Sequence, residues 1–519
     1  MNKHFIKLCA LVALCTPIYG CLDSSLNDDP DKVHVSRLAQ DNLYGTYLTT
    51  LQRNVVAEDQ NDFQLTEDLF GNMYAGYYAG TQSWEGGYNA TTYVFPDGWK
   101  DRPFSVAYTK VMSNWQQLRL KTDSSSVLFA VGEVVKVEAM HKTTDIYGPI
   151  PYTRFGLQTP VPYDSQKDVY MRFFSELDHA IGVLTAFDRL NPSAKPLSNF
   201  DLIYGSDLKK WIRFANSLKL RLAIRCHKAY DGAQALAEAA VNNDYGVIEE
   251  NEDNAVMQTV GALSFTYNNP FYNIYSTEGY NEDRMGASMD AYLNGFSDPR
   301  LSKFFAPAID GQYRGMRNGM RNGKNFQGNN KLSAPTITRS TPYVWMNAAE
   351  MWLLRAEGAL LGWNMGGTAK DLYEEGVRTS LAQHGLSDSA DNYLASNNTP
   401  SAYAGMRGLP AADAPSDITP AWDDNATDAK KLERIITQKW IAIYPLGQEA
   451  WSEFRRTGYP KLFPVVDNFS NGKVNTNIQV RRVPFPASEY IGNKAEVEKA
   501  VQLLGGEDTG GTSLWWDKQ

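Results

Sequence analysis

Apolar residues in this chain recur at helical spacing, and the stretches that carry the period double back at glycine or proline. Leu432, Ile435, Ile436 and Ile443 fall at offsets 0, 3, 4 and 11, one stripe of an amphipathic helix. Pro445 and Gly447 break that helix, because proline clashes with the preceding turn and glycine accepts unusual dihedrals. A second short helix, Gln448 to Arg456, is predicted to stop at Gly458, with Arg455 and Arg456 facing the negative end of its dipole. Trp440 and Trp451 give this corner large surfaces to bury, and nothing in it is a catalytic pattern. Tyr170, Phe173, Phe174, Leu177, Ile181 and Leu184 repeat the period, with Ser165 as N-cap. Trp211, Phe214, Ala215, Leu218 and Leu222 repeat it again after Asp207. The other face of that helix (Lys209, Lys210, Arg213, Lys219, Arg221, Arg225) reads mainly as a solvated stripe of cations. A short helix, Ala233 to Asn242, follows Asp231-Gly232, and the same long-helix, turn, short-helix unit returns over Met346–Trp363 and Thr368–Gln383.

These units set a mainly α fold class. In the 346–383 unit, Ala369 and Tyr373 follow an acidic, alanine-rich run and a turn glycine, a spacing that resembles part of the tetratricopeptide pattern. The units are degenerate and widely separated, so the expectation is tetratricopeptide-like helix pairs as a scaffold, with large loop-rich insertions forming a ligand face. Further helices are predicted over 33–58, 104–121, 127–143 and Lys494–Leu504. The insertions fall near 63–103, 260–283, 310–341 and 385–426. From Phe63 to Trp115 thirteen aromatic residues occur in 53 positions, about twice the 12% of the whole chain. Gly71, Gly76, Gly80, Gly86, Gly87 and Gly98 interleave them, so much of this segment is expected to be loop. A second cluster, Phe265, Tyr267, Phe271, Tyr272, Tyr275 and Tyr280, sits among asparagine and glycine. Insertion 310–341 opens on a basic tract whose Arg314, Arg317, Arg321 and Lys324 are expected to be solvated.

The first twenty residues read as an export signal. Lys3 and Lys7 flank a positive start, and Leu8 to Ile18 is too short an apolar run to span a bilayer. Ile18-Tyr19-Gly20-Cys21 resembles a bacterial lipoprotein cleavage box, although Tyr19 is unusual at its position; Cys21 would then be acylated. Residues 21–32 are acidic and polar and read as a flexible tether, and residues 33–519 as one helical domain. With Cys9 and Cys15 removed and Cys21 lipidated, only Cys226 remains, so stability is expected from core burial rather than disulfides.

A net charge of -9 and a pI near 5.4 argue against a nucleic-acid partner, which needs a basic face. The histidines beyond the N-terminal run (34, 141, 179, 227, 384) show no ligand spacing, and no metal or cofactor is expected. No Gly-x-Ser-x-Gly elbow occurs. Gly319-x3-Gly323-Lys324 is one residue short of a phosphate loop and lacks its Ser/Thr, and Asp423-x-Asn425-x-Thr427 lacks a calcium loop's glycine. With 59 acidic residues, a carboxylate pair for glycoside cleavage cannot be singled out, so an exported glycoside hydrolase stays as an alternative. The aromatic loops are the better clue. Sugars offer apolar C–H faces that stack on rings, while Asn, Asp and Arg bind hydroxyls. Any single ring reads first as packing, but the glycine-rich segments as a whole read as surface. The candidate ligand residues are Trp84, Tyr88, Trp99, Tyr267, Tyr272 and Tyr275, with no catalytic residue assigned.

Taken together, QKWIAIYPLGQEAWSEFRRTGYP (438–460), RRVPFPASEYIGN (481–493), WIRFANSLKLRLAIR (211–225), AAEMWLLRAEGALLGW (348–363), DIYGPIPY (145–152) and SDPRL (297–301) resemble the SusD/RagB family of outer-membrane nutrient-binding lipoproteins. The likeness covers nearly the whole chain after the N-terminal run. It implies a helical scaffold with variable ligand loops and a non-enzymatic, lipid-anchored protein facing the cell exterior. It further implies a lid on a SusC-like TonB-dependent transporter, delivering an oligosaccharide or, in some members, a peptide. The family's binding loops vary most, so the six aromatics rest on chemistry rather than on matched motif positions.

Overall fold

A computed structural model of the chain describes residues 40–259, 268–321, 328–406 and 409–518. Contacts divide the chain into residues 1–43 and a compact unit of residues 44–519. Three helix pairs frame that unit, α1 (Val127–Tyr147) with α2 (Gln166–Leu190), α3 (Leu208–Cys226) with α4 (Ala233–Val241) and α5 (Ala348–Leu360) with α6 (Ala369–Gln383), together with a corner in which α7 (Asp428–Ala442) packs on α5 and leads into α8 (Gly447–Thr457). Side-chain caps start most of them. Ser165 accepts from the Asp168 N–H, Asp207 from Lys210, Thr368 from Asp371 and Thr427 from Lys430, each pairing a donor that the first helical turn leaves free. Gly458 closes α8 in the left-handed region, at φ 76°.

Apolar stripes then pack the pairs. Trp211, Phe214, Ala215, Leu218 and Leu222 of α3 are wholly buried, as are Tyr170, Phe173, Leu177 and Leu184 of α2. Every residue of α1 but Lys142 is buried, so this helix is enclosed on all sides rather than along one stripe. It runs one turn past the predicted 143, to Gly148 at φ 87°. Trp440 and Trp451 are core residues whose indole N–H groups donate to the Ala75 and Val480 carbonyls, at 2.8 and 3.1 Å.

Two expectations about environment are corrected. The cations on the far face of α3 are not a solvated stripe: Arg221, Arg225 and Lys219 are buried, and only Lys209 is exposed. Arg221 forks onto Glu350 of α5 at 2.8 and 2.7 Å. Arg225 meets Asp145 of α1 at 2.6 Å and Glu449 and Glu453 of α8. Lys439 of α7 reaches Glu449 at 3.1 Å, and Arg456 forks onto Glu357 at 2.5 and 2.7 Å. Arg455 and Arg456 are therefore interior groups. In the basic tract, Arg317 is buried and donates to the Pro464 carbonyl at 2.7 Å, whereas Arg321 is exposed; Lys324 lies outside the described residues.

The second correction concerns the aromatic segment. Residues Gln60–Phe63 and Gln64–Asn72 are helical, the latter a π-helix, and Asp97–Lys121 is helical with a π-turn at Ala107–Met112. Phe63, Leu69, Phe70 and Tyr74 are buried, so packing decides their conformation. Gly71 serves a close approach: a Cβ there would lie 2.6 Å from the Gln448 backbone nitrogen, and one on Gly447 would lie 2.3 Å from that of Asn72. Short antiparallel ribbons complete the unit, among them β1 (Tyr78–Gly80) on β2 (Asp283–Met285), with Gly80 opposite Asp283.

Candidate ligand-binding face

Trp84 lies on a tight turn, Trp84–Gly87, in which Glu85, Gly86 and Gly87 all have positive φ. Asn89 holds the turn by donating to the Trp84 carbonyl at 3.0 Å. The Trp84 ring rests on β1, where a Cβ at Gly80 would sit 2.8 Å from it. Its edge meets Trp99, with centroids 6.1 Å apart and planes at 74°, an arrangement that aligns ring edge with ring face. Both tryptophans are half-buried, so part of each indole meets solvent.

The indole N–H of Trp84 donates to Glu282 Oε1 at 3.2 Å, and Gln64 donates to the other carboxyl oxygen. Burial pushes the Glu282 carboxyl up to about 7, against these two hydrogen bonds and with help from the charge of Asp68. Behind it, burial raises Asp68 to about 6, and burial together with Asp68 lifts Asp283 well above the usual carboxylate range. Two carboxyls facing each other in an apolar interior favour sharing a proton over holding two charges.

The other candidates form separate groups. Tyr88, 42% exposed, packs on Phe469 at 4.8 Å, and the Arg321 guanidinium lies over both rings, 4.8 and 5.6 Å from their centroids. Tyr272 is half-buried under Arg339, 4.8 Å from the ring centre, and Arg339 is ion-paired with Glu278 at 3.0 Å. Tyr275 touches Tyr272 edge-on at 5.8 Å but is buried. Its hydroxyl donates to the Ile337 carbonyl, and burial pushes the phenol up to about 12, so this ring belongs to the core beneath Tyr272. Tyr267 lies outside the described residues, as does Cys21. Among the described residues no ring contact joins the Trp84–Trp99 pair to the Tyr88 or Tyr272 group. Sequence reasoning missed Glu282, Gln64, Phe469 and the stacking role of Arg321. Glu282 lies 198 positions from Trp84, and no local spacing marks the pairing.

Packed helix pairs thus present half-exposed rings, Trp84, Trp99 and Tyr272, on one scaffold. The SusD-like family model, described as the SusD and RagB outer membrane lipoproteins, matches residues 25–517, and the chain belongs to that family. Among solved structures, a chitin-binding SusD homologue from Flavobacterium johnsoniae is 38% identical, with a TM-score of 0.87 over 92% of this chain and 99% of its own. A SusD homologue from Bacteroides thetaiotaomicron is also 38% identical, with a TM-score of 0.85 over the same shares. One from Bacteroides vulgatus is 35% identical, with a TM-score of 0.86 over 92% of this chain and 98% of its own. No curated protein matches the sequence.

Proposed function

We propose that the protein captures an oligosaccharide at the Trp84–Trp99 face and passes it to a SusC-like TonB-dependent transporter in the outer membrane. The observation that carries this reading is the pair itself: two indoles in edge contact, each partly open, one locked by Glu282. Such a pair offers a pyranose an apolar face already in place, so little ordering entropy opposes binding. The chitin-binding relative makes chitooligosaccharides the first ligands to titrate. Trp84→Ala and Trp99→Ala should each weaken binding by about 1–3 kcal/mol, the range of dominant anchors, in chains that circular dichroism shows still folded. Parent affinity in both variants, for a glycan the parent binds, would remove the site from this face. Tighter binding of peptides than of glycans by the parent would replace the cargo. Residues 1–20 act in this reading as the export signal, residues 21–32 as the tether and Cys21 as the lipid carrier on a surface-facing protein. Cys21→Ala should move the protein from the membrane fraction to the soluble one, and retention there would count against acylation.

A further inference from the structure

A cavity of about 240 Å³ opens between the Ser113–Lys121 helix, α1, α2 and the connection after Ile150, and none of the six candidate residues lines it. Each helix turns one stripe into it: Trp115 and Arg119, then Phe129, Glu133 and Lys136, then Arg172 and Glu176, all at spacings of three or four. The ammonium of Lys136, 3% exposed, meets Glu176 at 2.7 Å and lies over the Trp115 and Tyr152 rings at 4.4 and 5.0 Å. Glu176 is further committed to Arg172 at 2.9 Å and to the Tyr152 hydroxyl at 2.6 Å, and Glu133 is held by the His179 ring at 2.6 Å. Arg119, half-buried at the mouth, has no hydrogen-bond or ion-pair partner among the described residues.

The lining therefore carries three cations against two carboxylates, both already partnered, which leaves an excess of one positive charge. The connection is fixed both to itself and to the flanking helical segment. Asp164 accepts from the Tyr152 and Thr153 N–H groups at 3.1 and 2.6 Å, Gln116 donates to the Gly156 carbonyl at 3.0 Å, and Phe155 packs on Tyr108 at 5.4 Å. Burial lowers the Lys136 pKa and raises that of Glu133, in a cleft also lined by Trp115, Phe129 and Tyr152.

We propose that this cavity is a second ligand site, taking a small monocarboxylate whose single ring lies against Trp115 and Phe155 and whose carboxylate meets Arg119. The volume is below the 300–1,000 Å³ usual for larger ligands, which favours one ring over an oligosaccharide. The shared chemistry is a carboxylate on a six-membered ring, and glucuronate and benzoate separate its sugar and aromatic sources. Calorimetric titration of the whole protein should show saturable binding of at least one of these acids and none of glucose. Arg119→Ala should weaken that binding about tenfold or more, as expected for a hydrogen bond to a charged group, and Phe155→Ala should weaken it as well. Trp84→Ala should leave it unchanged, which keeps this site distinct from the glycan face. Absence of binding by both acids, equal binding of glucose, or parent affinity in both Arg119→Ala and Phe155→Ala would overturn the proposal.

Discussion

The Trp84 indole N–H rests on the Glu282 carboxyl, whose pKa burial raises to about 7. The folded Glu282 pKa, about 7, exceeds its ordinary 4.5, so the folded chain holds this proton more tightly than the unfolded one. Its contribution to stability is whole below pH 4.5 and is lost as pH rises through 7. Glu282→Gln keeps an acceptor for the indole N–H and cannot ionise. It should match the parent's stability near pH 4 and exceed it at pH 8 by at most about 3 kcal/mol, read from denaturant melts at both values. A gap that does not widen with pH would refute the assignment. Tyr275→Phe tests the opposite kind of residue. It removes one buried hydrogen bond and should cost about 1 kcal/mol of stability while leaving glycan titrations unchanged. Both tyrosines of the Tyr272–Tyr275 pair looked alike in the sequence. What separates them is the Ile337 carbonyl, 62 positions away.

At the scale of elements, the helix pairs were readable because their signals are local. Stripes at offsets 0, 3, 4 and 7 and caps such as Ser165 and Asp207 act within one or two turns, and the helices start where those residues stand. The aromatic segment misled for the converse reason. Glycine among aromatic residues signals loop when glycine serves a turn, but Gly71 serves a helix crossing. Gly71→Ala should therefore destabilise by about 1–3 kcal/mol through overpacking, measured as a lower denaturant midpoint, although alanine is the better helix former. An unchanged or raised midpoint would mean the crossing is looser than its 2.6 Å approach implies. In the sequence Trp84 and Trp99 are only two rings of a rich segment, and their edge contact appears only in the fold. Glu282 and Gln64, which support Trp84, come from elements that only the tertiary fold brings together.

At the scale of the 44–519 unit, a network of ion pairs runs through the buried interior. Arg221, Arg225, Lys439 and Arg456 face Glu138, Asp145, Glu350, Glu357, Glu449 and Glu453, all buried. Arg221 and Arg225 meet carboxylates at least 80 positions away, a separation no periodicity displays, which is why these two read as part of a solvated stripe. Neighbouring cations hold Glu453 down at about 2 and Glu449 well below its ordinary value, against the opposing effect of burial. Folded pKa values below the unfolded 4.5 contribute stability above that pH, lost as pH falls toward 2. Circular dichroism should show cooperative acid unfolding in this window. Arg225→Ala leaves Asp145, Glu449 and Glu453 short of a partner, and should cost about 3–5 kcal/mol; a loss below about 1 kcal/mol would show that water or Lys439 compensates.

The order in which these charges leave the ribosome has a consequence for assembly. Arg225 of α3 is made more than two hundred residues before the Glu449 and Glu453 that pair with it. Until α8 arrives, burying α3 would strand Arg225 with one of its three counter-ions, so an incomplete chain has reason to stay open. A fragment ending at residue 425 should accordingly remain protease-sensitive although it holds most of the apolar core, and residues 426–519 act as the latch that makes the interior electrically complete.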